Sequence, residues 1–130
     1  MEQKQKVLLI EDDPLMIDLY KQTFQLNGFD VEIAEDGIKG LSLLKNSAVG
    51  PDVILLDIMM PKMNGFEVLE QLKKNPETKN IPVIVLSNLA QPNDVDKVLK
   101  LGAAMHLVKS QHDPRDTVEK VRQVIKDSSK

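Results

Sequence analysis

The sequence predicts an α/β fold, a doubly wound (βα)5 arrangement in which one five-stranded parallel sheet is wrapped on both faces by helices. Three observations carry this. Three short runs, Val7 to Ile10, Val53 to Leu56 and Val83 to Leu86, are continuously apolar, as strands covered on both faces must be. The segments between strands carry helical spacing, and turn residues punctuate the chain where one element must give way to the next. Strands alternating with helices imply parallel pairing with right-handed crossovers.

Taken in order, the first strand is Val7 to Ile10, and Asp13-Pro14 opens the first helix with a capping carboxylate before a proline. Proline at a first helical position costs nothing, because its missing N–H would have had no partner. Gly28 follows that helix as a C′ residue, and the weaker apolar run Val31 to Ala34 is the second strand. After the third strand, Phe66, Leu69 and Leu72 mark a helix that Asn75-Pro76 stops, since a residue before proline is driven out of the helical region. Val95, Val98 and Leu99 mark the fourth helix, which Gly102 ends. Ala104 to Val108 is the fifth strand, and Asp113-Pro114 opens a last helix with Val118, Val121 and Ile125 on its apolar face. One domain spanning residues 5–127 is expected, with residues 1–4 and 128–130 as short frayed termini.

Composition narrows the class of function. The 130 residues are 42% hydrophobic and 28% charged, close to globular averages, so neither disorder nor a membrane protein is expected. Aromatics make up 3%, so the core must come from Leu, Ile, Val and Met. Without cysteine there are no disulfides and no thiolate chemistry, and with no apolar run long enough for a signal peptide or a membrane span the reading is cytoplasmic. A net charge of −3 offers no basic field for nucleic acid, so direct binding to it is not expected.

In an open parallel sheet, ligands bind beyond the carboxyl ends of the strands. Glu11 and Asp12 follow the first strand, Asp57 the third, Ser87 the fourth and Lys109 the fifth. Taken singly, an acid at a strand end is ordinarily solvated or caps a helix, as Asp13 is expected to do. Together, three carboxylates, a hydroxyl and an ammonium at one rim outweigh that reading. Three negative charges against the one positive charge of Lys109 leave the cluster at −2, which a divalent hard cation would neutralise. Mg²⁺ suits it best, since it binds through one or two carboxylates plus waters and leaves positions for phosphate oxygens. Neither His106 nor His112 has the spaced partners that zinc requires. A carboxylate so held, with a lysine beside it, can attack phosphorus to give an acyl phosphate.

These residues resemble the receiver domain of two-component response regulators over about Lys6 to Lys126. The matching pieces are Val7-Leu8-Leu9-Ile10-Glu11-Asp12-Asp13, Leu55-Leu56-Asp57-Ile58-Met59-Met60-Pro61-Lys62-Met63-Asn64-Gly65, Pro82-Val83-Ile84-Val85-Leu86-Ser87, Gly102-Ala103 and Leu107-Val108-Lys109. The resemblance implies the flavodoxin-like strand order 2-1-3-4-5. It implies that Asp57 is the phosphoacceptor and that Asp12, Asp57 and the main-chain carbonyl of Met59 hold Mg²⁺, with Glu11 orienting a metal-bound water. Ser87 becomes a switch hydroxyl and Lys109 the phosphate-binding ammonium. A histidine kinase or phosphotransfer protein is the implied phosphoryl donor, and a face made by helix 4, strand 5 and helix 5 is expected to signal to a downstream target. No enzyme activity is implied beyond the domain's own phosphorylation and dephosphorylation.

Three positions depart from the family pattern. His106 stands where Tyr or Phe usually acts as a rotamer switch, Asn88 where a smaller residue usually follows the switch serine, and Ser110 where proline usually follows the lysine. Without that proline the Lys109–Ser110 bond is expected to be trans, since cis costs about 2.5 to 4 kcal/mol before a residue other than proline. Met60, Met63 and Met105 are read as packing residues. Two rival chemistries lack their residues. An aspartate-nucleophile phosphatase needs an acid where Met59 stands, and a flavin domain needs a phosphate loop where Glu11-Asp12-Asp13-Pro14 would repel phosphate.

Overall fold

The computed structural model describes residues 4–45, 50–58, 64–88 and 92–128. Its elements run β1 (Lys6–Ile10), α1 (Pro14–Leu26), β2 (Asp30–Ala34), α2 (Gly37–Lys45), β3 (Val53–Leu56), α3 (Gly65–Lys74), β4 (Val83–Ser87), α4 (Pro92–Lys100), β5 (Met105–Val108), a 3-10 turn (Lys109–Gln111) and α5 (Pro114–Ser128). The sheet is ordered β2-β1-β3-β4-β5, and every pair in it is parallel. This is the doubly wound architecture expected.

The three apolar runs form the strands that are covered on both faces, and β3 and β4 are buried at every position. Alternation along each strand divides the core. Leu8, Ile10, Ile54, Leu56, Val83 and Val85 pack under α2, α3 and α4 with Leu69, Leu72 and Val98. Val7, Leu9, Val53, Leu55, Ile84 and Leu86 pack under α1 and α5 with Tyr20, Phe24, Val118 and Val121.

Helix ends follow the chemistry read from the sequence. The Asp13 carboxylate accepts from the Leu15 N–H at 3.0 Å, and Asp113 accepts from the Asp116 N–H at 2.8 Å. Asn75 is extended and closes α3 ahead of Pro76. At the end of α1, Gly28 has φ +88°, and the N–H groups of Phe29 and Gly28 donate to the carbonyls of Phe24 and Gln25. The Phe24 and Phe29 rings then meet edge to face, 5.3 Å apart, which is the apolar contact this type of helix end favours.

Some details differ from expectation. Leu99, expected on the apolar face of α4, is 45% exposed, because Val98 takes the inward position. Ala104 lies just outside β5, although its N–H donates to the Val83 carbonyl at 2.8 Å. Helix α5 continues through Ser128, into the terminus expected to fray, and Gln123 donates to the Asp127 carboxylate near that end. The Lys109–Ser110 bond is trans, as expected without proline. Met105 packs partly buried against the α1 and α5 side of the core, while Met60 and Met63 lie outside the described residues.

Candidate functional site

The crossovers leave β1 in opposite directions to β2 and β3, so a crevice opens at the carboxyl ends of β1 and β3. Main-chain bonds extend the sheet into that crevice. The Glu11 N–H donates to the Ala34 carbonyl and the Asp57 N–H to the Ile10 carbonyl, both at 3.0 Å. Both acids are thereby fixed by backbone at strand ends. Glu11 is 2% exposed and Asp57 5%, whereas Asp12 is more open to solvent. One oxygen from each of the three carboxylates falls within 4.8 Å of the others.

Lys109 arrives from the end of β5. Its ammonium donates to the Glu11 carboxylate and lies 3.4 Å from Asp57 Oδ2. Burial works against the charge on Lys109, but the bond to Glu11 and the charge of Asp57 outweigh it and hold its pKa above the ordinary value. Burial pushes the Glu11 carboxyl up, and the charge of Asp57 adds to that, while the Lys109 bond pulls the other way. The other Glu11 oxygen accepts from the N–H groups of Asp12 and Asp13 at 3.1 and 3.2 Å. One ammonium for three crowded carboxylates leaves the charge deficit read from the sequence. Hard oxygen donors with excess negative charge fit a divalent cation such as Mg²⁺.

Glu11, Asp12, Asp13, Pro14, Asp57, Asn88 and Lys109 line one cleft of about 500 Å³. Glu11, Asp12, Asp57 and Lys109, singled out in the sequence, are thus brought together. Ser87 is fully buried at the end of β4, with its Oγ 3.2 Å from Nε2 of His106 on β5. His106 is half-buried, and burial lowers its pKa. Met59 lies outside the described residues.

Two features were not read from the sequence. The Ser110 N–H donates to the Asn88 carboxamide oxygen at 3.1 Å, joining two of the departures noted above. The signal was the missing proline, which leaves an N–H to be satisfied. Behind the site, the buried Tyr20 hydroxyl bonds Thr117, linking α1 to α5, and burial raises its pKa.

Residues 7–122 match the family model described as the response regulator receiver domain. The chain is 36% identical over 121 residues to the DNA-binding dual master transcriptional regulator RpaA of Synechocystis sp., covering 93% of this chain and 49% of that protein. It superposes with a TM-score of 0.88 and 28% identity on a CheY-like response regulator receiver domain protein from Methanospirillum hungatei, covering 98% of each chain. A Mn²⁺-bound form of response regulator Rcp1 superposes with a TM-score of 0.76 at 27% identity, covering 93% of this chain and 88% of that one. The chain spans about half the length of the curated relatives it matches. No helix among the described residues is long and apolar enough to cross a membrane. With a carboxylate crevice at the strand ends, the five-stranded order 2-1-3-4-5 and a match over most of its length, the chain belongs to the response regulator receiver domain family.

Proposed function

We propose that Asp57 is the phosphoacceptor of this receiver domain, that the unit runs over residues 5–127, and that a histidine kinase or phosphotransfer protein is the phosphoryl donor. The observation that carries this reading is the Lys109 ammonium shared by Glu11 and Asp57, which puts a cation beside a strand-end carboxylate that opens on a cleft. An Asp57 carboxylate oxygen forms the new bond to phosphorus while the bond from phosphorus to the donor breaks, and the leaving group departs with that electron pair. Lys109 meets the negative charge on the transferred oxygens. Asp12 and Asp57, with Glu11 through a water and Met59 through its carbonyl, would hold Mg²⁺, which when bound supplies further neutralisation of that charge.

Ser87 and His106 connect the site to an output face. The Ser87 hydroxyl, once it turns to a phosphoryl oxygen, changes its relation to His106 on β5. Because β5 is the edge strand, flanked by α4 and α5, this movement is read on the face those three elements share.

The direct test is to incubate the chain with acetyl phosphate and Mg²⁺ and follow intact mass. One phosphoryl group is expected, released by hydroxylamine as an acyl phosphate should be, and absent when EDTA replaces Mg²⁺. A label that resists hydroxylamine, or that forms equally well in EDTA, rules the reading out.

A pH effect follows from His106. Its folded pKa lies below the unfolded value of about 6.5, so above that pH both states are neutral and nothing is lost. As pH falls below about 6.5 the unfolded chain takes up the proton first, and stability declines. His106→Phe should therefore show a smaller drop in melting temperature between pH 7.5 and pH 5.5 than the parent. The same substitution should flatten the pH dependence of target binding by the phosphorylated chain. Parallel melting profiles would remove His106 from the account.

A further inference from the structure

Asn88 and Ser110 stand one position beyond Ser87 and Lys109, and their side-chain to main-chain bond crosses the rim of the site. The parallel ladder of β4 and β5 ends with Ser87 against Val108. The Asn88 carboxamide thus carries the link between these strands one step past the last ladder pair. A backbone N–H can only donate, so it selects the carboxamide oxygen and sets the orientation of the whole group. This tie depends on the absence of proline, since proline at position 110 would bring no N–H.

What the tie holds is the base of Lys109. Its side chain is a flexible four-carbon stem whose ammonium must meet both Glu11 and Asp57. That stem springs from a three-residue 3-10 turn, closed by a long 3.5 Å bond from the His112 N–H to the Lys109 carbonyl. The 3.1 Å bond to Asn88 is the shorter restraint on this turn, and Asn88 lines the same cleft as Asp57 and Lys109.

We propose that Asn88 is a positioning residue for phosphoryl transfer to Asp57, holding the Ser110 N–H so that Lys109 starts its reach from a fixed place. The proposal rests on the reading of Asp57 as acceptor. The competing role, a bulky side chain that merely narrows the cleft, makes the opposite prediction for removal of the carboxamide.

The test is a double-mutant cycle on the rate of phosphorylation by acetyl phosphate, using the parent, Asn88→Ala, Ser110→Pro and the double variant. Asn88→Ala should lower the rate about threefold to tenfold, the range expected for one hydrogen bond. In the Ser110→Pro background it should change the rate less than about twofold, since the donor is already gone. Mg²⁺ affinity by calorimetry and melting temperature should stay at parent values in Asn88→Ala, because neither a metal-binding carboxylate nor the core is touched. Exchange of the Ser110 amide should quicken at least about threefold in Asn88→Ala, and this reading serves if Ser110→Pro does not fold. Faster phosphorylation in Asn88→Ala, equal effects in both backgrounds, or unchanged amide exchange would overturn the assignment. A parent chain that takes no label overturns the Asp57 reading and this one together, whereas a labelled parent with an uncoupled cycle overturns Asn88 alone.

Discussion

Asp57→Asn will take up no phosphoryl group from acetyl phosphate and Mg²⁺, and without a divalent cation it will melt at a higher temperature than the parent. The first result follows from chemistry, since the neutral carboxamide is nearly the same shape but its oxygen is a poor nucleophile toward phosphorus. The second follows from charge. Asp57 is 5% exposed and shares Lys109 with the buried Glu11, so two carboxylates compete for one ammonium. Replacing one by an amide removes a repulsion at close range and leaves Lys109 to Glu11 alone. A gain of about 1 kcal/mol is expected, or roughly 3 to 5 °C for a domain of this size. Adding Mg²⁺ should raise the melting temperature of the parent more than that of the variant, because binding to the folded state alone is stabilising and the variant has lost one anionic ligand. Intact mass and calorimetric melting with EDTA and with Mg²⁺ measure both parts. A persisting label would move the acceptor elsewhere, and a lower melting temperature in EDTA would mean that Lys109 stabilises Asp57 more than the crowding costs.

That trade between stability and function explains why the site was legible in sequence. Polar residues abutting apolar runs at the carboxyl ends of strands are costly there and are best explained by chemistry. Glu11, Asp12, Asp57 and Ser87 could be placed on one rim from strand position alone, because β1, β3 and β4 are buried on both faces and read as unbroken apolar runs. The edges were less clear. β5 is buried only at Leu107 and β2 only at Ala34, so their patterns are mixed and their boundaries shift by a residue. Leu99 misled for a related reason: adjacent residues lie about 100° apart around a helix, so on α4, where the inward stripe is narrow, Val98 is buried and Leu99 turns out, and the sequence does not say which of the two does so. Which oxygen of Glu11 takes Lys109, and that Asn88 meets the Ser110 N–H, depend on register across elements far apart in the chain.

Gly65→Ala should cost about 3 kcal/mol of stability and slow phosphorylation at least about tenfold, although residue 65 touches no reacting atom. Gly65 follows the Asn64 cap at the start of α3, and its N–H donates to the Ile58 carbonyl at 2.9 Å. A Cβ there would stand 2.5 Å from the Asp57 carbonyl oxygen and 2.5 Å from the Ile58 Cα. Both are backbone atoms, which cannot swing aside as a side-chain end does. Either α3 is pushed off the sheet or the chain carrying Asp57 moves. The first loses packing of Val68, Leu69 and Leu72, and the second displaces the acceptor carboxylate from Lys109. A fall of roughly 10 °C in melting temperature is expected from the stability loss. Gly28→Ala is the matched control. Its strain comes from φ +88° with nothing within 4 Å of the added Cβ, so it should cost about 1 to 2 kcal/mol without altering the phosphorylation rate. Calorimetry and initial rates of labelling on the two variants separate the cases. Equal rates in Gly65→Ala and Gly28→Ala would show that the backbone under Asp57 tolerates the added methyl.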